Sequence, residues 1–354
     1  MKIAIIGGGF YGCYLACKIS DYYPKIQISI YEKNNKLLLE SAINNQYRLH
    51  QGFHYPRSIE TIRQTKSGFK QFCKQFRKFI YFPKKNYYLI HKKSNVSLKE
   101  YCQIYKKIKL KFKNLSLKRI SFLKDNSQYS GAIKVSEGII NLSRLYKYIN
   151  KKIFSNKKIK IYYNSNVSGI NKIDGTIFTK KEVGPYNLII NSSYVDLNLG
   201  LKNKFKVKYE LASLIHIKNY LGADYAITIM DGNFVSVYPI NKKTTTLSSV
   251  KYTPVKKFSN LNALKKFLKK KDIKNILMKN STKIINDVKK YINLKKIKIT
   301  KITLSPKVKL LTDFNSQRVS QVKKEFKLIS ILCGKLDAIF PIWLKVKYEL
   351  KKMN

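Results

Sequence analysis

Six residues near the amino terminus, Gly7-Gly8-Gly9-Phe10-Tyr11-Gly12, constrain the fold of this chain more than any others. They follow Ile3-Ala4-Ile5-Ile6, a continuous apolar run of the kind that fills a strand buried on both faces. From residue 11 to about 21 the pattern turns helical, with Leu15 and Ile19 four apart on one face. A second apolar run, 26–31, ends in Glu32. Strand, glycine turn, helix and strand in this order read as a Rossmann-like α/β unit. Within G-x-G-x-x-G, Gly7 makes the tight turn, Gly9 lets backbone approach a pyrophosphate, and Gly12 lets the helix pack close on the strand. Phe10 and Tyr11 open the helix, whose unpaired N–H groups face the phosphates. Glu32, with Lys33 beside it, lies twenty residues past Gly12, where a carboxylate accepts hydrogen bonds from ribose hydroxyls and disfavours a 2′-phosphate. An adenine dinucleotide is expected; FAD and NAD are both open on this motif.

The chain has 354 residues, enough for two domains of roughly 150 residues each, and 44% of them are hydrophobic, which excludes a disordered chain. Its formal charge of +53 would ordinarily point to nucleic acid or anionic membrane. Only Arg48, Arg57, Arg63, Arg77, Arg119, Arg144 and Arg318 among the 72 basic residues are arginine, which leaves 65 lysines. Nucleic-acid readers favour arginine for bidentate and stacked contacts, so the lysine excess reads as composition drift, with no specific nucleic-acid partner and at most weak association with anionic surfaces. The lysine-dense stretch 265–309 also carries regularly placed Leu, Ile and Phe and reads as helices with solvated faces. Cys13, Cys17, Cys73, Cys102 and Cys333 form no C-x-x-C pair, and neither a secretion signal nor an apolar run of about 18 residues is present. The expectation is a soluble cytoplasmic protein with reduced thiols.

The stretch Asn45-Gln46-Tyr47-Arg48-Leu49-His50-Gln51-Gly52-Phe53-His54-Tyr55-Pro56-Arg57-Ser58 is dense in polar, aromatic and glycine residues and precedes an amphipathic helix over 59–79. It reads as a site loop. His50 and His54 are four apart, but the HExxH glutamate is missing and Gly52 with Tyr55-Pro56 opposes a helix, so no metal site is assigned.

With these residues the chain resembles the FAD-dependent oxidoreductases of the D-amino-acid oxidase superfamily, and within it the L-2-hydroxyglutarate dehydrogenase-like branch. The likeness rests on the glycine fingerprint, the acid, and a His-x-Gly-x-x-Tyr element at His50, Gly52 and Tyr55. It continues through Glu137-Gly138-Ile139-Ile140-Asn141 before Arg144-Leu145, through Val167 in the strand that touches the adenine side, and through the strand 186–191. Met230-Asp231-Gly232-Asn233-Phe234 with Tyr238-Pro239 resembles part of a substrate-domain sheet. Arg318-Val319-Ser320 and Cys333-Gly334-Lys335-Leu336-Asp337 resemble a closing flavin-contact motif. The chain departs from the family in reading Asn191-Ser192-Ser193-Tyr194 where many members have Asn-Ala-Ala-Gly, and in having one glycine before Lys335.

The resemblance implies FAD, a hydride taken from the CH–NH or CH–OH carbon of a small amino acid, hydroxy acid or sugar acid, and an electron acceptor such as oxygen or a quinone. Such a reaction needs a group that accepts or orients the substrate's N–H or O–H proton, a role assigned to His50. Arg48 or Arg57 pairs with a substrate carboxylate or a cofactor phosphate, and Tyr55 closes the pocket against water. Lys335 opens a terminal helix over 336–350 whose amino end faces the flavin edge that gains charge on reduction; Gly334, Leu336 and Asp337 flank it. Two other readings stand beside this one: an NAD-dependent dehydrogenase, and a non-redox dinucleotide-binding module that meets polyanions through its lysines.

A discontinuous organisation is expected, with an FAD-binding domain from 1–80, 130–205 and 310–354. A mainly antiparallel substrate domain takes 81–129 and 206–309. Within it, 211–217, 226–230, 234–238 and 245–250 read as strands, Asp231-Gly232 as a turn, and 262–291 as helices covering the sheet.

Overall fold

The opening motif folds as β1 (Lys2–Ile6), α1 (Phe10–Tyr22) and β2 (Gln27–Tyr31) in the computed structural model, which describes residues 1–219, 221–222, 224–294, 297–311 and 319–353. β1 sits inside a six-stranded sheet between β2 and the strand Leu188–Asn191, parallel to both, with Ile3 opposite Ile28 and Leu188. Ile159–Tyr162 extends the sheet beyond β2; Leu328–Leu332 and then the antiparallel edge Gln321–Glu325 extend the other side. One face buries Ile3 and Ile5 against α1, the helix Leu142–Phe154 and the helix Ile339–Lys351. The other buries Ala4 and Ile6 beside Leu197, Phe205 and Leu328. Burial on both faces is why this strand has no polar alternation.

A second, nine-stranded sheet draws on 85–134 and 207–310. The four expected strands form at Val207–Lys218, Tyr225–Met230, Val235–Pro239 and Thr244–Ser249, antiparallel to one another where they pair, with the 231–232 turn between the second and third. Tyr225–Met230 continues the sheet by pairing parallel to Lys85–His91. The period of two separates the faces. Ile227, Ile229, Val235, Val237 and Leu247 pack with Ile284 and Val288 of the helix Ile273–Lys289. The intervening Thr228, Ser236, Tyr238, Thr246 and Ser248 point the other way, toward the 46–48 segment.

Two expectations need correction. The boundary at 130 falls inside the strand Tyr129–Lys134, which belongs to the nine-stranded sheet, so that sheet keeps residues through 134. Val167 is not in a strand: it lies in the connection between Ile159–Tyr162 and Gly169–Asn171, buried in the core beside Ile6 and Tyr31. The terminal helix forms with Pro341 inside it. A 3-10 turn, Leu336–Ala338, leads into Ile339–Lys351, and Pro341 falls in the first helical turn, where a backbone N–H has no intrahelical acceptor. Among the described residues no helix is long and apolar enough to cross a membrane.

Candidate active site

The glycines divide the amino-terminal turn into packed and open parts. Gly7 has φ +97°, and a Cβ on Gly12 would stand 2.0 Å from the Gly7 carbonyl oxygen, so helix and turn touch through backbone. A Cβ on Gly9 would meet nothing within 4 Å; the mouth of the turn opens there. Gly9 also N-caps α1 without a side-chain hydrogen bond, and the first helical turn holds no acid, which leaves its N–H groups and the positive end of the helix for an anion. Glu32 is buried. Its Oε2 accepts the Gly8 N–H at 2.7 Å and its Oε1 accepts the Asn34 N–H at 2.8 Å, so the acid braces the turn from the end of β2. Lys33 stands apart, half exposed, 3.6 Å from Glu40. The Phe10 ring lies in the core against Tyr14, Phe72 and Tyr146. The Tyr11 hydroxyl donates to the Lys335 carbonyl at 2.5 Å and ties the turn to the carboxy-terminal segment.

That segment rests on one face of α2 (Ile59–Phe76), a helix capped by Ser58. Gln64, Thr65 and Gly68 share the face. Gln64 Oε1 accepts the Ser320 N–H at 3.1 Å, and Ser320 Oγ accepts the Gly334 N–H at 2.7 Å. Lys335 Nζ donates to Thr65 Oγ1 at 3.1 Å and sits 3.7 Å from the Tyr55 ring centroid. Leu336 packs on the main core, while Asp337 is buried above Gly68 with Oδ2 unpartnered; burial pushes its carboxyl up to about 6 against the pull of Lys335. Arg318 lies outside the described residues.

The third part is assembled by a three-stranded sheet. Arg48 pairs with Ile139 and Leu49 with Gly138, and this register brings Glu137 beside the loop that begins at His50. Glu137 is fully buried: Oε1 accepts the Gln51 N–H at 2.8 Å, Oε2 accepts the Tyr88 hydroxyl at 2.6 Å, and His50 Nδ1 and Arg48 Nη2 stand 3.4 and 3.6 Å from Oε2. Burial opposes ionisation of Glu137, but His50, Arg48 and the Tyr88 hydrogen bond together hold it well below the usual carboxylate range. Arg48 donates to Tyr88 and Thr228 at 2.8 and 2.9 Å, and its guanidinium lies 4.2 Å from the Tyr238 ring centroid. It therefore stands against the nine-stranded sheet. Arg57 donates to Asp231 at 2.6 Å. His50, His54 and Tyr55 form a ring cluster with centroids 5.2–5.9 Å apart. Burial, then Arg48, lowers His50 to about 4 and His54 well below its ordinary value, so both are neutral at pH 7.

Arg48 Nε, His50 Nδ1, His54 Nδ1, Asn86 Oδ1 and Asp337 Oδ2 are buried without a hydrogen-bond partner among the described residues. Contacts link the neighbourhood of these orphans: Tyr11 to Lys335, Lys335 to Tyr55, Tyr55 to His50, and His50 to Glu137. An open groove of about 530 Å³ lined by Leu98, Cys102, Leu115 and Ala132 contains none of these residues. Sequence reasoning quoted Glu137 only as a lead into a helix, and it missed Tyr88, Thr228, Gln64 and Thr65. Thr228 between Ile227 and Ile229, and Ser236 between Val235 and Val237, were the readable signal for this face.

No family model matches the chain. Among curated proteins it is 28% identical over 269 residues to the FAD-dependent monooxygenase FPY4 of Fusarium mangiferae, a match covering 73% of this chain and 66% of that relative, just under two thirds. Solved structures match over almost the whole length. L-alpha-glycerophosphate oxidase from Mycoplasma pneumoniae with FAD bound has a TM-score of 0.70 at 16% identity, covering 97% of this chain and 93% of the other. L-proline dehydrogenase from P. horikoshii has a TM-score of 0.67 at 13% identity, covering 96% and 90%. The chain shares the fold of these two solved enzymes. In this fold the six-stranded sheet carries the glycine turn, and the hydroxyl face of the nine-stranded sheet lies against the segment holding Arg48. None of these relatives is named as an L-2-hydroxyglutarate dehydrogenase, and the likeness to that branch is not confirmed.

Proposed function

We propose that the protein is an FAD-dependent oxidoreductase that removes a hydride from the carbon bearing an amine or hydroxyl in a small polar anion: an amino acid, hydroxy acid or sugar acid. One observation carries this reading: buried, unpartnered polar atoms of Arg48, His54, Asn86 and Asp337 gather around the residues joined to the glycine turn through Tyr11 and Lys335. Buried polar groups left unpaired cost about 1–3 kcal/mol each, so a polar ligand at this place would offset a real penalty.

The residues present fit FAD. The open Gly9 mouth and the uncapped amino end of α1 suit the pyrophosphate, Glu32 the ribose, and the 334–337 turn the flavin end. FAD when bound supplies the hydride acceptor. The chain's own residues do the rest. His50, neutral, accepts the proton of the substrate's N–H or O–H. Lys335 pairs with no carboxylate among the described residues and attracts the substrate's negative charge. Thr228, Ser236 and Ser248 line up across neighbouring strands as hydrogen-bonding groups for a polar substrate. Tyr55, its ring under Lys335, excludes water. Arg57, already held by Asp231, serves as an orienting group at the rim. An acceptor such as oxygen or a quinone takes the electrons onward, and the five free cysteines suit a reducing compartment such as the cytoplasm. The cofactor domain comprises 1–80, 135–205 and 310–354, and the substrate domain the remainder.

Purified protein should show visible flavin absorbance, and an anaerobic panel of amino and hydroxy acids should contain a compound that bleaches it. His50→Ala should keep the flavin and slow bleaching about 10²–10⁴-fold. Absence of flavin after reconstitution with FAD, or uptake of NAD in its place, would overturn the reading.

A further inference from the structure

The His50 ring presents its two nitrogens to different surroundings. Nδ1 is buried, 3.4 Å from Glu137 Oε2, without the alignment of a formed hydrogen bond. Nε2 makes no hydrogen bond to a described residue and is not among the sealed atoms. The groups facing the ring are Arg48 and Glu137 from the three-stranded sheet region, Lys335 from the carboxy-terminal turn, and His54 and Tyr55 from its own loop. Of these Glu137 is the carboxylate, and it is immobilised by the Gln51 N–H and the Tyr88 hydroxyl.

We propose that Glu137 is a positioning residue: it receives the Nδ1–H of His50 and so leaves the Nε2 lone pair as the base that meets the substrate. The alternative tautomer would set a lone pair on Nδ1 against an ionised carboxylate oxygen, two acceptors in contact inside a dry site, which electrostatics opposes. Arg48, Lys335 and burial meanwhile keep a second proton off the ring. This inference rests on the proposed oxidation and concerns its proton. The substrate's N–H or O–H bond breaks, its proton joins Nε2, and the bonding pair stays on nitrogen or oxygen to form C=N or C=O as the hydride departs to FAD. The imidazolium so formed faces Glu137, which stabilises the charge where it develops. Positioning through the distal ring nitrogen follows the same physics as an acid behind a catalytic histidine in other enzymes.

The test reads the tautomer directly on the FAD-loaded full chain. The protein has four histidines, so a ¹⁵N-histidine spectrum is assignable by one His50→Gln control. At pH 7 His50 is expected as the neutral Nδ1–H form. In Glu137→Gln that form should lose its dominance, and flavin bleaching by the active substrate should slow roughly 10²-fold with flavin absorbance retained. Glu137→Asp should restore part of both. Wild-type His50 found as the Nε2–H form, or a tautomer unchanged in Glu137→Gln, would overturn the proposal. The wild-type spectrum decides it even where a variant does not fold. A protein that takes up no FAD sinks the proposed oxidation instead, a separate result read from absorbance.

Discussion

Burial, more than any neighbouring charge, keeps His50 neutral, and this has a sign that can be measured. Its value of about 4 lies below the ordinary value of about 6.5. The unfolded chain therefore binds a proton here that the folded chain refuses. The corresponding stability is present above about pH 6.5 and is lost as pH falls toward 4. In activity, the acid limb of substrate-driven flavin bleaching should fall with a midpoint nearer 4 than 6.5; a midpoint at 6.5 would remove His50 as the base. Asp337 has the opposite sign. Raised to about 6, it holds a proton in the fold that the unfolded chain has released, so stability is lost as pH rises from about 4 through 6. Asp337→Asn should gain on the order of 2–3 kcal/mol relative to the parent on going from pH 4 to pH 7, by denaturant unfolding of the apoprotein.

Two glycines on different elements separate packing from binding. Gly68 lies where α2 meets the carboxy-terminal turn, and a Cβ there would stand 2.5 Å from the Asp337 carbonyl oxygen. Gly68→Ala should push that turn off the helix at a cost of about 1–3 kcal/mol, lowering both apoprotein stability and FAD affinity. Gly9→Ala meets open space, so the apoprotein should keep its Tm while FAD binding weakens as the methyl enters the crevice. Thermal melts and flavin fluorescence titration of the two variants distinguish them. Element limits were legible wherever a period ran on: α1, α2 and the four strands between 207 and 249 formed within a few residues of their expected ends. Val167 was not, because no run of alternation surrounds it and the likeness of one residue to a family position says nothing about its backbone.

At the scale of the whole molecule the +53 charge is self-repulsion that the fold carries. The described ion pairs between exposed lysines and acids, such as Lys33 with Glu40, offset little of it. Raising ionic strength from about 0.01 M to about 0.15 M shortens the screening length from about 30 to about 8 Å, and Tm should rise across that interval. A Tm that falls or stays level would mean that the charges are already compensated in the fold.

The strand–helix–strand unit was readable from residues 1–32 because everything that makes it is local: an apolar run, glycines at the turn, a helical period and a terminal acid, all within one short passage. The same stretch could not say which residues would stand opposite. Arg48, Tyr88, Glu137 and Thr228 meet only because strand pairing sets Arg48 beside Ile139 and Tyr88 beside Thr228. Register over such separations depends on which faces are buried in the assembled sheets, so the chain's order determined the glycine turn and its flanking strands, while tertiary pairing decided which polar side chains meet Arg48 and Glu137.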